Sequence, residues 1–223
     1  MTDDRHSKGL QPAIEASIGM SMRRLASTAI TVEEMLQKRY SPEEHRSTKE
    51  EVYKQIVRYL RIEGHYWVAS TEANISDLVY AIISPIIDDF ICKTGRDTVY
   101  LYRERQPIFV DCNPEGYKEF VVVDNICVSK TRKIMIIEAP MASFCGAMAQ
   151  CLVALKNMHD SIRGIVYGFV TTGDSWRMLS YDGERLKVTD KIEVIFDTMV
   201  RNKEKWMKEF SVLVDCIYAA LDS

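Results

Sequence analysis

Two apolar runs, Phe120-Val121-Val122-Val123-Asp124-Asn125-Ile126-Cys127-Val128 and Lys133-Ile134-Met135-Ile136-Ile137-Glu138, decide the fold class of this chain. Both runs are rich in β-branched residues, which is typical of strands. Only Ser129-Lys130-Thr131-Arg132 separates them. A connection of this length predicts an antiparallel hairpin.

Helical patterns precede the hairpin. Ser41-Pro42-Glu43-Glu44 combines a capping serine, a proline at the first helical position and acids in the first turn, which predicts the start of a helix that runs to Gly64. A second helix is expected from about residue 70 to Cys92, kinked or interrupted at Pro85 and ended by Gly95. A strand over residues 98–102 then leads towards the hairpin.

After the hairpin, the hydrophobic pattern returns to a helical period. The predicted elements are a helix over 142–159, strands over 164–171 and 176–181, and a long helix over 190–221. A helix between the third and fourth strands is a crossover that places those strands parallel. The order predicts an α/β fold, a mixed β-sheet flanked by helices, with residues 1–40 as a partly helical arm and 41–223 as a single domain.

Composition narrows the possible classes of protein. The 223 residues carry 29 Lys and Arg against 32 Asp and Glu, a net charge of −3. This balance excludes a protein that holds nucleic acid by bulk positive charge, although a local basic groove stays open. No apolar run reaches the ~18 residues that span a bilayer. The six cysteines form no CxxC pair, so we expect no membrane association and a reducing location, cytoplasmic or nuclear.

A carboxylate inside or at the end of an apolar strand indicates a charged partner or a bound cation, because burying an unpaired charge is costly. Asp124 lies within the first run and Glu138 ends the second. Pairing across the short turn is expected to bring them side by side, as an oxygen-rich site for Mg²⁺ or Mn²⁺. The alternative is structural: one acid faces solvent at a strand end and the other caps a turn.

The order of these motifs resembles the PD-(D/E)XK nuclease-like superfamily. The resemblance rests on Val123-Asp124, on Ile136-Ile137-Glu138-Ala139-Pro140, on Gln150 in the next helix, and on Gly168-Phe169-Val170-Thr171-Thr172-Gly173-Asp174-Ser175-Trp176. The last segment is similar to the G-x-x-T-x-G-x-x-W stretch of fungal and Crinkler-associated members. The resemblance implies a restriction-endonuclease-like αβββαββ core, with extra helices before it and a long helix after it.

The resemblance also implies roles for individual residues. Asp124 and Glu138 would be catalytic metal ligands, the Ala139 carbonyl a further ligand, and Gln150 a residue that orients water or DNA. The family's lysine, which activates the attacking water, is replaced by Pro140. Lys133 lies about 16 Å from Glu138 along the strand and cannot substitute for it. The expected protein is therefore a nuclease fold with an inactive or impaired metal site, acting as a nucleic-acid-associated or protein-interaction module.

Two other functions stay open from the sequence. An active Mg²⁺-dependent endonuclease would use Asp124 and Glu138 with a base from elsewhere. Lys130, Arg132 and Lys133 are the candidate nucleic-acid contacts, and the alternative is that they are scattered surface cations. A homodimeric adaptor without a nucleic-acid role would bind a partner or itself through the long terminal helix, whose apolar stripe is wide. The structural alternative is that this helix folds back on the helices before residue 92.

Overall fold

The computed structural model describes residues 29–37, 43–63, 72–104, 119–127, 130–138 and 144–223. Within these ranges the helices are α1 (Val32–Leu36), α2 (Arg46–Glu63), α3 (Glu72–Thr94), α4 (Phe144–Ile162), α5 (Lys203–Lys205) and α6 (Val212–Leu221). The strands are β1 (Val99–Glu104), β2 (Glu119–Cys127), β3 (Lys130–Glu138), β4 (Val166–Thr171), β5 (Ser175–Tyr181), β6 (Leu186–Val188) and β7 (Ile192–Glu193).

The described strands form one mixed sheet in the order β1-β2-β3-β4-β5-β6, and β7 also pairs with β5. Strands β2 and β3 form the predicted antiparallel hairpin. Strand β4 lies parallel to β3, and α4 is the crossover that connects them. The prediction of a mixed α/β sheet flanked by helices is confirmed at this level.

Helices cover both faces of the sheet. On one face, α2, α3 and α6 share the larger hydrophobic cluster with alternate residues of the central strands, including Phe120, Val122, Met135, Ile137 and Phe169. On the other face, α4 packs on a smaller cluster that includes Val166, Val170 and Leu179. The alternation of strand residues between the two clusters follows from the two-residue period of a β-strand.

The two helices before the sheet are confirmed, with corrections at their boundaries. Helix α2 begins at Arg46, and Glu43, Glu44 and His45 form a turn rather than the first helical turn. Helix α3 runs without interruption through Pro85. Gly95 ends it in the left-handed region, at φ +66°, and its N–H donates to the Ile91 carbonyl at 2.8 Å. A glycine tolerates this conformation at little cost, which explains its place after the helix.

The prediction of one long helix over 190–221 is wrong. Residues Ile192–Glu193 form β7 against β5, Met199–Arg201 form a 3₁₀ turn, and Trp206–Phe210 form a π-helical turn before α6. The apolar residues of this segment recur at helical spacing, but Ile192 is instead paired with Trp176 at the sheet. Tertiary pairing has overridden the local pattern, which is the usual limit of sequence periodicity.

The apolar stripe of α6 is covered by the rest of the chain. Residues 213–221 are all buried, and the helix packs in the cluster that holds α2 and α3. The expectation that it folds back on the helices before residue 92 is confirmed. Residues 213–221 therefore offer no exposed apolar stripe for self-association or partner binding, and that hypothesis stays a prediction without support from this helix. None of the described helices is long and apolar enough to cross a membrane.

Candidate functional site

Asp124, the first predicted metal ligand, lies in a partly buried ion pair. Arg96 Nη2 donates to one of its carboxylate oxygens at 2.6 Å, and Thr98 Oγ1 donates to the other at 2.6 Å. Arg96 also reaches the carbonyl of Leu221, at the end of α6, at 3.4 Å. Through Arg96 and Thr98, Asp124 links strand β2 to the connection between α3 and β1. Arg96 extends this link to the end of α6.

The expectation that Asp124 and Glu138 lie side by side is wrong. In the hairpin register, Asp124 faces Arg132 and Glu138 faces Glu119. Asp124 lies five residues from Glu119 along β2, so the two predicted ligands are about 17 Å apart along the strands. They cannot share one cation, since ligand oxygens lie within ~2.6 Å of a bound Mg²⁺ or Ca²⁺ ion.

Glu138 has different acidic neighbours. Glu119 faces it across β2 and β3, and Glu104 faces Glu119 across β1 and β2. Three glutamates thus occupy one row of register positions, which we call the acidic row. Like charges on facing positions of adjacent strands destabilise a sheet. A bound divalent cation offsets such repulsion, because carboxylate oxygens are the ligands that Mg²⁺ and Ca²⁺ prefer.

The acidic row lies at the end of the sheet where the crossover helix starts. Val170 of β4 faces Glu138 in the parallel register, and Val170 packs in the same cluster as Ala147 and Met148 at the start of α4. Gln150 is half-buried, in the first half of the same helix. Glu138 ends β3 and Gln150 lies in the helix that follows, as predicted. Ala139 and Pro140 lie outside the described residues.

The predicted nucleic-acid contacts lie at the other end of the hairpin. Lys130, Arg132 and Lys133 occupy the first positions of β3, facing Cys127, Asp124 and Val123 respectively. Lys130 and Arg132 were expected in a turn, but the strand begins at Lys130. The basic positions and the acidic row are therefore separated by most of the length of β3.

The G-x-x-T-x-G-x-x-W stretch is a structural turn between β4 and β5. Thr171 Oγ1 accepts from the Gly173 N–H at 2.8 Å, and the Trp176 indole donates to the Gly173 carbonyl at 3.2 Å. Gly173 has φ +86°, and a Cβ atom there would lie 3.1 Å from Leu78 of α3. Thr171, Gly173 and Trp176 are thus explained by the hairpin and its packing on α3. Gly168 instead lies against α4, where a Cβ atom would be 2.7 Å from Cys151 Sγ.

A buried polar cluster, which sequence reasoning missed, ties α2, α3 and α6 together. Lys49 Nζ lies 2.8 Å from Asp215 Oδ2, with side chains only 3% and 9% exposed. Burial raises the pKa of Asp215 to about 6, against the opposing effect of Lys49. In sequence, Lys49 is one of several charges on its helix and Asp215 is a lone charge in an apolar stretch, so only the distance between the helices reveals the pair.

The exposed side of this cluster centres on Asp89. Its carboxylate accepts hydrogen bonds from Thr48 and Lys93, both at 2.7 Å, and from the Tyr218 hydroxyl. Burial alone would raise the pKa of Asp89, but these hydrogen bonds outweigh it and lower the pKa below its usual value. His45 stacks on the Tyr218 ring at 3.6 Å, and burial is the main cause of its lowered pKa. These contacts hold α2, α3 and α6 together.

Comparison of the chain with models of protein families, with curated proteins and with solved structures gives no match. Within the part of the chain whose side chains are described, no group of three His, Cys, Asp or Glu is placed to hold a metal ion. The side chains of the acidic row are not among those described. A functional interpretation therefore rests on the chain's own residues and register.

The ion pair of Asp124 leads to a first prediction. Replacing Asp124 by alanine should lower the free energy of unfolding by about 1.5–3 kcal/mol, because Arg96 loses a charged hydrogen-bond partner. Thr98→Val is the matched control, since it removes one neutral donor to the same carboxylate and should cost about 0.5–1.5 kcal/mol. Urea titration measures both losses. A stability unchanged in Asp124→Ala would contradict the structural role of this carboxylate.

Proposed function

We propose that this chain is a nuclease-like module that binds a divalent cation at the acidic row and associates with nucleic acid, with strongly impaired phosphodiester cleavage. The observation that carries the proposal is the register of the hairpin, which sets Glu119 opposite Glu138. The resemblance implies Asp124 and Glu138 as the acid pair. In this proposal, the pair is Glu119 and Glu138 instead.

The strand arrangement supports this proposal. Three antiparallel strands are followed by a crossover helix and a strand parallel to the third, which is the order that the resemblance to PD-(D/E)XK nucleases implies. Glu138 ends the third strand, and Glu119 begins the second. In such a hairpin, the start of one strand and the end of the next lie at the same end, so Glu119 and Glu138 are the positions from which two ligands would serve one ion.

The chemistry of the row supports cation binding without efficient cleavage. Two or three carboxylates provide charge and oxygen ligands for Mg²⁺ or Mn²⁺. The lysine that the resemblance expects after Glu138 is Pro140, which can neither transfer a proton nor stabilise a developing negative charge. Losing one electrostatic stabiliser typically lowers a rate by ~10²–10³-fold, so an intact metal site is compatible with very slow cleavage.

Metal-dependent stability tests the acidic row. We expect Mn²⁺ to raise the melting temperature of the full chain, with a stabilisation of about 2.7 kcal/mol when the free metal is at a hundred times its dissociation constant. Glu119→Gln and Glu138→Gln should lose this response, because each removes a charged ligand. Glu184→Gln, at an exposed acid in the turn between β5 and β6, is the matched control and should keep it.

The Mn²⁺ experiment and a plasmid-nicking assay together separate the competing functions. A response to Mn²⁺ that Glu138→Gln leaves intact would refute the site. In a plasmid-nicking assay with the same proteins, wild type should nick very slowly or not at all, and Pro140→Lys should raise nicking towards the ~10²–10³-fold that such a group supplies. Wild-type nicking that is as fast as that of Pro140→Lys and disappears in Glu138→Gln would instead establish an active endonuclease.

A further inference from the structure

Two exposed tyrosines stand on the strand that carries one end of the acidic row. Tyr100 and Tyr102 belong to β1, with exposed fractions of 48% and 42%. Among the described strands, β1 lies at the edge of the sheet. A tyrosine has an apolar ring and a polar hydroxyl, so two of them at alternate positions of one strand form a small exposed aromatic surface.

The two rings share one face of the sheet with the acidic row. Successive residues of a strand alternate between faces, so positions 100, 102 and 104 belong to the same face. Val99 and Leu101, at the alternate positions, belong to the core cluster on the opposite face. Along β1, Tyr100 comes first, Tyr102 follows about 7 Å further on, and Glu104 is the next position on this face.

The register relates this line to the basic positions of the hairpin. Tyr100 faces Val123, and Val123 in turn faces Lys133. Glu104 faces Glu119 at the other end of the line. Val121 and Val123 on β2 are buried, so the accessible path follows β1 itself. It leads past Tyr100 and Tyr102 to the acidic row.

From this placement, and on the basis of the proposed function, we infer that Tyr100 and Tyr102 are a stacking platform for single-stranded nucleic acid, which leads its backbone to the acidic row. Their separation of about 7 Å is about twice the ~3.4 Å between stacked bases, so each ring has room for a base of its own.

Single strands fit this platform better than duplexes. The bases of a duplex cover each other's faces, so a tyrosine can stack only on bases that are unpaired or at an end. Stacking also tolerates any sequence, since every base has a π-face. With a net charge of −3, the protein gains little affinity from overall electrostatic attraction to the phosphates. Stacking on the tyrosines therefore makes a comparatively large contribution to the affinity.

The test measures binding of a fluorescein-labelled 20-nucleotide oligothymidylate to the full chain by anisotropy, at low salt and in EDTA. Alanine at one stacking residue typically costs a factor of about five or more in affinity, so Tyr100→Ala/Tyr102→Ala should bind about thirtyfold or more weakly. Tyr100→Phe/Tyr102→Phe keeps both rings and should bind like the wild type.

Tyr80→Ala is the matched control. Tyr80 is a tyrosine of similar exposure, 44%, on α3, where Arg103 lies 4.2 Å above its ring. Its replacement should leave oligonucleotide affinity unchanged. A double alanine variant that binds like the wild type, an equal loss in Tyr80→Ala, or a wild type that does not bind the oligonucleotide would each overturn the platform.

The EDTA condition keeps this inference separate from the metal site. Glu138→Gln should bind the oligonucleotide in EDTA at least as well as the wild type, because it removes a negative charge from the end of the path. If Mn²⁺ fails to stabilise the protein but the tyrosine variants lose oligonucleotide binding, the metal site is refuted and the platform stands. The reverse pattern refutes the platform alone.

Discussion

Replacing Asp215 by alanine is expected to lower the free energy of unfolding by about 3–5 kcal/mol, because it leaves Lys49 as a buried cation without its partner. The Lys49 side chain is only 3% exposed, and its ammonium lies 2.8 Å from the carboxylate. Native proteins are stable by about 5–15 kcal/mol, so this loss removes a large share of the total. Urea unfolding followed by circular dichroism measures it.

The double variant Lys49→Met/Asp215→Leu is the control for this prediction. Replacing both members of a buried ion pair by apolar residues of similar volume is often neutral or stabilising. The double variant should therefore recover most of the stability that Asp215→Ala loses. If both variants lose the same amount, the effect comes from altered packing between α2 and α6 and not from the unpaired charge.

The raised pKa of Asp215 makes the same pair sensitive to pH. Its value of about 6 in the folded protein lies above the 3.8 of an unperturbed aspartate, so between these values the folded state binds more protons than the unfolded state. The contribution of Asp215 to stability is therefore greatest below pH 3.8 and is lost as the pH rises through 6. Relative to Asp215→Asn, which cannot ionise, the wild type should become less stable from pH 4 to pH 7.

Replacing Trp206 by alanine is the second change with a large expected effect, a loss of about 3–5 kcal/mol in the free energy of unfolding. The side chain is fully buried, next to Tyr53 of α2, with ring centroids 5.7 Å apart. Its indole N–H donates to the Val194 carbonyl at 2.9 Å. Truncation leaves a cavity and removes the hydrogen bond that holds the segment after β7.

Trp206→Phe separates these two contributions. Phenylalanine fills most of the cavity but cannot donate, so its cost should stay near the ~1–3 kcal/mol of an unsatisfied buried carbonyl. Guanidinium titration with an unchanged slope against denaturant checks that both variants unfold from the same compact state. A loss below 1 kcal/mol in Trp206→Ala would contradict the buried position of this residue.

The hairpin register shows why the sequence could not predict which residue faces Glu138. A four-residue turn at Ser129–Arg132 sets Val128 beside Lys133 and brings Asp124 close to Glu138. In the structure, β2 ends at Cys127 and β3 begins at Lys130, with irregularities in the register on both sides of Asp124. Each residue removed from a turn shifts every facing pair. The partner of Glu138 thus became Glu119, a residue whose strand position alone carried no functional signal.

The sequence by itself determined the elements whose signals are local. The β-branched runs fixed the hairpin, the helical stripes fixed α2, α3 and α4, and Gly95 fixed the end of α3, because each depends on neighbouring residues along the chain. Only the tertiary structure decided the register, the Lys49–Asp215 pair and the broken path from β7 to α6. These depend on contacts between distant segments, where burial and strand pairing outweigh the period of a short apolar pattern.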